Sequence, residues 1–240
     1  MIIKVYDTKE EASKEAASLI IKELLLTPKL TLGLSTGSTP LGIYNNLIDS
    51  YKKGLISFEQ VTTFNLDEYI GIDRKHDQSY YSFMKNNFFD EIDIQEKNIN
   101  MPCNDPDKLE EIAEDYNTLL RNNIIDLQIL GIGSNGHIGF NEPGTPLRNE
   151  TFIVELDEQT RQDNARFFHS IDEVPTHAIT MGIKNIMQVR KIVICAFGEG
   201  KSDAVKEMIN GQITRNLPAS VLQLHPDCIV ILDKEAASKL

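Results

Sequence analysis

A histidine and a glutamate five residues apart, His137 and Glu142, mark the stretch Asp126 to Gly144, DLQILGIGSNGHIGFNEPG. Histidine is the side chain best poised to exchange protons near neutral pH. Gly131, Gly133 and Gly136 surround it with backbone that can reach positive φ and approach a ligand closely. The apolar run Leu127 to Leu130 reads as a strand feeding that loop. Strand ends are where an open α/β sheet builds its active site. His137 is therefore a candidate general acid or base, with Glu142 and Asn135 orienting its ring and fixing its tautomer. The alternatives are a structural histidine and a metal site drawn from His137, Glu142 and Asp67. The chain has neither paired histidines nor clustered cysteines, so no metal is expected.

Two further segments carry chemistry of the same kind. In VTTFNLDEYIGID, Val61 to Asp73, a strand runs directly into Asp67 and Glu68. If the strand alternation persists, the two carboxylates face opposite ways and only one need face a site. A carboxylate at a strand end suits proton transfer, whereas a lone acid more commonly caps a loop or pairs with a lysine. In LGLSTGSTPLGIY, Leu32 to Tyr44, a strand ends in Ser35, Thr36, Gly37, Ser38 and Thr39, and Pro40 then opens a helix. Hydroxyls and amide N–H groups at a helix N-terminus make an anion site, usually for phosphate. The loop is neither a Walker loop nor a GxGxxG turn, and the plainer reading is a turn with a helix cap. Among the scattered cations Arg148, Arg161, Arg166, Arg190 and Lys201, the last follows a strand and opens a helix. A cation there opposes the helix dipole unless an anion sits nearby. His76, His169, His177 and His225 have no comparable context.

The elements that must hold these groups alternate. Strands are expected at Ile2 to Tyr6, Leu30 to Leu34, Val61 to Leu66, Ile124 to Leu130, Thr151 to Leu156, Lys191 to Phe197 and Cys228 to Leu232. Helices are expected after the capping box Thr8–Glu11, after Pro40, over Ser79 to Phe89, Asp107 to Asn122 and Lys201 to Ile209, with a short one closing the chain. This pattern predicts an α/β fold, an open and mostly parallel sheet flanked by helices on both faces. With no linker-like or repeated segment, residues 1–240 are expected to form a single α/β domain. Pro143 to Thr180 is the least regular region and is expected to hold lid or site loops.

Lys plus Arg number 24 and Asp plus Glu 36, for a net charge of −12. That balance argues against nucleic acid and against an anionic membrane surface as partner. An anionic small substrate requires locally concentrated cations. Cys103, Cys195 and Cys228 form no CxxC pair, and the last two lie in apolar runs, so reduced, buried thiols are expected there. With no signal-like N-terminus and no membrane-length apolar run, a cytoplasmic location is expected.

Taken together, STGSTPLGIY, TFNLDEYIG, SYYSFMKNNFF, GIGSNGHIGFNEP, ARFF and LQLHP resemble the glucosamine-6-phosphate deaminase family, in the family's order and over nearly the whole chain. The resemblance implies a Rossmann-like domain. It implies conversion of glucosamine 6-phosphate and water to fructose 6-phosphate and ammonia, with no cofactor and no metal. His137 would open the pyranose, and Glu142 would orient and tune it. Asn135 stands where family members carry Asp or Asn, and it can orient but supply no charge. Asp67 would move the C2 proton to C1 through an enolamine, before the imine is hydrolysed. The phosphate would sit on Ser35 to Thr39 with Arg166 and Lys201.

Some members are activated by N-acetylglucosamine 6-phosphate, bound at a subunit interface through basic residues after GFNEP. The corresponding positions here are Phe152 and Val154, and the chain stops at Leu240 without the regulated members' longer tail. Unregulated, hyperbolic kinetics and a monomer or small homo-oligomer are the expectation. A 6-phosphogluconolactonase is the nearest rival, but lactone hydrolysis needs no C2 base, and the NLDEY segment and Glu142 favour the deaminase. A sugar-phosphate sensor without turnover would lose the acid–base pair, which is present here.

Overall fold

Thr8 begins the first helix as its sequence suggested, its hydroxyl accepting from the amide of Glu11. The computed structural model describes residues 1–156, 161–162, 165, 168 and 170–240. Along them run β1 (Ile2–Tyr6), α1 (Lys9–Leu26), β2 (Thr31–Leu34), α2 (Leu41–Lys52), β3 (Thr62–Asn65), β4 (Asp67–Tyr69) and α3 (Tyr80–Asn87). There follow β5 (Ile99–Asn100), α4 (Leu109–Asn122), β6 (Leu127–Gly131), β7 (Phe152–Glu155), β8 (His177–Thr180), α5 (Ile183–Met187), β9 (Lys191–Ala196), α6 (Ser202–Asn210) and β10 (Cys228–Asp233). No described helix is long and apolar enough to cross a membrane.

Seven strands form a parallel sheet in the order β1-β10-β9-β6-β2-β3-β5. Strands β9 (KIVICA) and β10 (CIVILD) read as near-continuous apolar runs because both faces are covered. Val193 and Cys195 of β9 face α1 and α2 with Leu32, Leu34, Leu127 and Ile129. Ile192 and Ile194 face the other way, with Leu130, against Tyr116 of α4, Val205 and Met208 of α6 and the 3-10 turn Pro218–Leu224. Cys195 and Cys228 are buried free thiols and Cys103 is exposed. The expected α/β class, with helices on both faces, is the class observed.

The strand order changes direction between β2 and β6. From β2 the chain passes through α2 to β3 on one side, while from β6 it continues to β9 on the other. In parallel sheets the crevice at such a switch, beyond the strands' carboxyl ends, is where ligands bind. The loops at Ser35 and Ile132 both leave from it.

A second sheet, β4-β8-β7, is antiparallel and was not anticipated as a unit. The strand expected over Val61 to Leu66 stops at Asn65, and the chain continues as β4 in this other sheet. Two of its strands lie in Pro143 to Thr180, so that region contributes framework. The short helix expected to close the chain is instead a series of turns, with bonds such as Ser238 N–H to Glu235 O. Asp233 caps it by accepting from Ala236 N–H at 2.8 Å. A few residues past one cap do not repay the cost of a helical nucleus.

Leu32 is fully buried at the centre of the parallel sheet, and Leu26 at the end of α1 is 70% exposed. Leu32→Ala should lower stability by about 2–5 kcal/mol and Leu26→Ala by less than about 0.5 kcal/mol. Urea unfolding midpoints at constant slope measure both.

Candidate active site

The loop of residues 35–39 gets its shape from below. Tyr44 of α2 is wholly buried, stacked on Phe88 at 4.7 Å, and its hydroxyl donates to Ser35 O at 2.6 Å. Gly37 takes φ +90°, which lets the backbone turn over the helix end. Pro40 begins α2 without any side-chain cap, so the first helical amides remain for another acceptor. Outside the loop, Lys9 Nζ donates to Ser38 O at 3.3 Å.

The histidine loop is held by its neighbours. The His137 ring lies against Gly133 so closely that a carbon added there would stand 2.4 Å from Cε1 and Nδ1. Gly133 is thus a packing requirement. His137 Nδ1 lies 3.4 Å from Glu142 Oε1, a separation that leaves it without a formed hydrogen bond. Asn135 acts differently from the sequence expectation. It takes the His137 backbone N–H on Oδ1 at 3.1 Å and donates from Nδ2 to Glu142 Oε2 at 2.8 Å. It therefore steers the loop and the glutamate, and the glutamate faces the ring.

The two neighbouring acids divide as the alternation required. Asp67 faces the cavity. Glu68 turns away and accepts from the amides of Tyr69, Tyr80 and Tyr81, each at 2.9 Å. It thereby holds the N-terminus of α3, alongside Ser79, whose hydroxyl accepts from Ser82 N–H. Burial raises the Glu68 carboxyl and these amides oppose the rise. Asp67 lacks such amides. Burial, with the like charge of Glu68 second, pushes its carboxyl from 3.8 up to about 8.

These parts meet in a cavity of about 270 Å³ at the switch point. Ser35, Thr36, Gly37, Ser38 and Thr39 line one wall, Asp67 and Tyr80 another, and Gly131 to Ser134, His137, Gly139 and Phe140 a third, with Lys201 also on the lining. Lys201 precedes α6 in a 3-10 turn. Asn135 and Glu142 stand behind the histidine, outside the lining. Arg166 lies outside the described residues. The alternative metal site from His137, Glu142 and Asp67 is not formed: among the described residues no group of three His, Cys, Asp or Glu could hold an ion.

Three residues of the site were passed over in the sequence. Tyr80 lines the cavity, stacked on Phe140 at 6.1 Å. Asn141, fully buried, donates to both Ile138 O and Met181 O at 2.8 Å. Thr180, fully buried, accepts from Phe140 N–H at 3.1 Å. Only Tyr80 left a signal, in its distance from the acids and its place after the cap Ser79.

A family model described as glucosamine-6-phosphate isomerases/6-phosphogluconolactonase matches residues 7–230. A glucosamine-6-phosphate deaminase of Clostridium botulinum (strain Loch Maree / Type A3) is 52% identical over 241 residues, covering 100% of this chain and 99% of the relative. That of Clostridium novyi (strain NT) is 51% identical over 231 residues, 96% of each. A solved structure described as a monomeric glucosamine-6-phosphate deaminase superposes with a TM-score of 0.97 at 42% identity, covering all of both chains. The 6-phosphogluconolactonase of Trypanosoma brucei superposes at 0.82 with 20% identity, over 100% of this chain and 98% of that one, a likeness of fold alone.

The raised Asp67 carboxyl has a sign that stability can report. The folded chain keeps this proton up to about pH 8, whereas an ordinary carboxyl releases it near 3.8. Stability from this group is therefore fully present below the unfolded value and is lost as pH rises through the folded one. Asp67→Asn has no proton to lose. Its urea midpoint should exceed that of the unsubstituted protein at about pH 8, and the gain should vanish near pH 4. A gain independent of pH would overturn the assignment.

Proposed function

The chain belongs to the family of glucosamine-6-phosphate isomerases and 6-phosphogluconolactonases, and we propose that it converts glucosamine 6-phosphate and water to fructose 6-phosphate and ammonia. The observation that carries this reading is the meeting of two proton-transfer groups, Asp67 and His137, with a polar helix-start loop and Lys201 on one cavity. Lactone hydrolysis has no use for a second carboxylate beside the reacting carbons. The deaminating isomerisation needs one group to open the ring and another to shift a proton between carbons.

The phosphate sits on the amides and hydroxyls of Ser35 to Thr39 at the start of α2, with Lys201 supplying positive charge; Arg166, which the family resemblance adds as a second cation, lies outside the described residues. An acidic protein thus offers a locally positive pocket to an anion. His137 takes the anomeric hydroxyl proton and returns one to the ring oxygen. Glu142 faces the ring and orients it during that exchange. Asp67, ionised, removes the proton from C2 and delivers it to C1 through the enolamine. Water then adds to the C2 imine and ammonia leaves. Each proton-transfer group contributes about 10²–10⁴-fold. Metal and organic cofactor have no step in this scheme.

Phe152 and Val154 lie on β7, and Val154 packs with Tyr69 and Phe140. Neither can pair with a phosphate, which supports activity without N-acetylglucosamine 6-phosphate. Asp67, His137 and the 35–39 loop line one cavity within a single chain. Each copy therefore carries its own site, whether the protein acts as a cytoplasmic monomer or as a small homo-oligomer.

Incubation with glucosamine 6-phosphate, with no added metal or nucleotide, should release ammonia and fructose 6-phosphate in equal amounts. Asp67→Asn should bind substrate normally and turn over at least about 10²-fold more slowly. Near-normal ammonia release from that variant would remove the carboxylate from the mechanism. The rate curve should be hyperbolic in substrate and unmoved by N-acetylglucosamine 6-phosphate. A sigmoidal curve that the effector straightens would overturn the unregulated reading.

A further inference from the structure

The C2 base of this scheme is oddly unsupported. Among the described residues none hydrogen-bonds the Asp67 carboxylate, whose surroundings are burial and the like charge of Glu68. Carboxylates that must stay in one orientation are ordinarily held by donors. The group best placed to supply one lies across the antiparallel ladder. Asp67 of β4 is paired with Thr180 of β8. Met181 N–H bonds Leu66 O at 2.7 Å, and Ile70 N–H bonds His177 O at 2.9 Å. Both pairs are bonded positions an even number of residues apart, so Asp67 and Thr180 fall on a non-bonded position. There the Cα atoms approach to about 4.5 Å and the side chains lie closest.

Both side chains converge on one point. A carbon placed on Gly139 would stand 3.0 Å from Thr180 Oγ1 and 3.4 Å from Asp67 Oδ2. The Thr180 oxygen already accepts the Phe140 amide proton. A hydroxyl still has its own proton to give, and no described residue takes it. Thr180 is fully buried, where an ungiven hydroxyl proton is costly.

We propose that Thr180 is a positioning residue for Asp67, its hydroxyl donating to the carboxylate when that group is ionised and ready to act as base. The same oxygen accepts from Phe140, three residues after His137. One atom then ties the group that moves the C2 proton to the loop that carries the ring-opening histidine. A donor to the charged form favours that form. The other titratable groups facing Asp67 are Glu68 on its own strand, Tyr69 beyond it, Tyr80 of α3 and Tyr116 of α4, with His137 and Lys201 across the cavity. Thr180 carries no charge, so its removal changes the Asp67 environment without altering the count of charges.

The inference rests on the deaminase reading, and one experiment separates the two. Ammonia release from glucosamine 6-phosphate is followed against pH for the unsubstituted protein, Thr180→Val and Thr180→Ser. Valine keeps the shape and loses the hydroxyl, and serine keeps the hydroxyl. Expected for Thr180→Val is a kcat about 10–100-fold lower with KM within about threefold, because the phosphate loop is untouched. Its acidic limb should move to higher pH, since the base has lost a donor. Thr180→Ser should restore both. A Thr180→Val enzyme with its acidic limb unmoved, or a Thr180→Ser enzyme as impaired as Thr180→Val, overturns the inference alone. An unsubstituted protein that releases no ammonia overturns the deaminase reading and the inference with it. Should Thr180→Val fail to fold, Thr180→Ala carries the same comparison.

Discussion

Leu66 belongs to two sheets at once, and the site depends on that. Its amide bonds Leu34 O at 3.1 Å, the last link to the parallel sheet. Its carbonyl accepts from Met181 N–H at 2.7 Å, the first link to the antiparallel one. The next residue is Asp67. A carboxylate placed by a loop would wander, whereas this one is fixed by a backbone bonded on both sides within one residue. The crossing also brings β8 to the mouth of the parallel sheet. Asn141 and Phe140 then fasten the histidine loop to Met181 and Thr180. The separation between Asp67 and His137 is therefore set by strand pairing, which is a stiffer ruler than any side-chain contact.

The electrostatics follow from the same arrangement. The chain carries a net charge of −12, yet the cavity takes the positive end of α2 and Lys201 on its lining. Overall charge and pocket charge are set by different residues, so an acidic protein and an anionic ligand are compatible. The carboxylate beside that pocket is held in a state that disfavours its own ionisation. Folding stability is given up at higher pH to keep this carboxyl buried beside Glu68.

Much of this was legible in the sequence, for identifiable reasons. The histidine loop announced itself because the glycines that let the ring lie on Gly133 are sequence neighbours of the ring. The division between Asp67 and Glu68 followed from strand alternation alone. Pro40 marked the start of α2 by its fixed φ. The antiparallel sheet was not legible as a unit. Its strands β4 and β8 are three and four residues long and over a hundred positions apart, and β7 is only partly buried, so its apolar pattern is weak. Thr180 and Asn141 matter only through partners that this pairing brings, and a sequence pattern carries no trace of a pairing partner. The closing turns misled because helix-forming residues alone do not nucleate a helix after a cap.

Glu68 shows why the acid pair is a unit. Three amides hold it, two of them from the first turn of α3, where the helix dipole favours negative charge. That bonding lets a second carboxylate sit buried next to the first. Without it, two adjacent buried acids would compete for one proton, and the cheaper solution would be to neutralise both. With it, three amides support the charged form of Glu68 while no described amide supports that of Asp67, so the proton is directed to Asp67. Anchoring α3 also carries Tyr80 to the cavity wall, which Asp67 also lines. The cap of one helix thus places an aromatic wall and contributes to the charge state of the cavity-facing Asp67, through a residue that itself lies off the cavity.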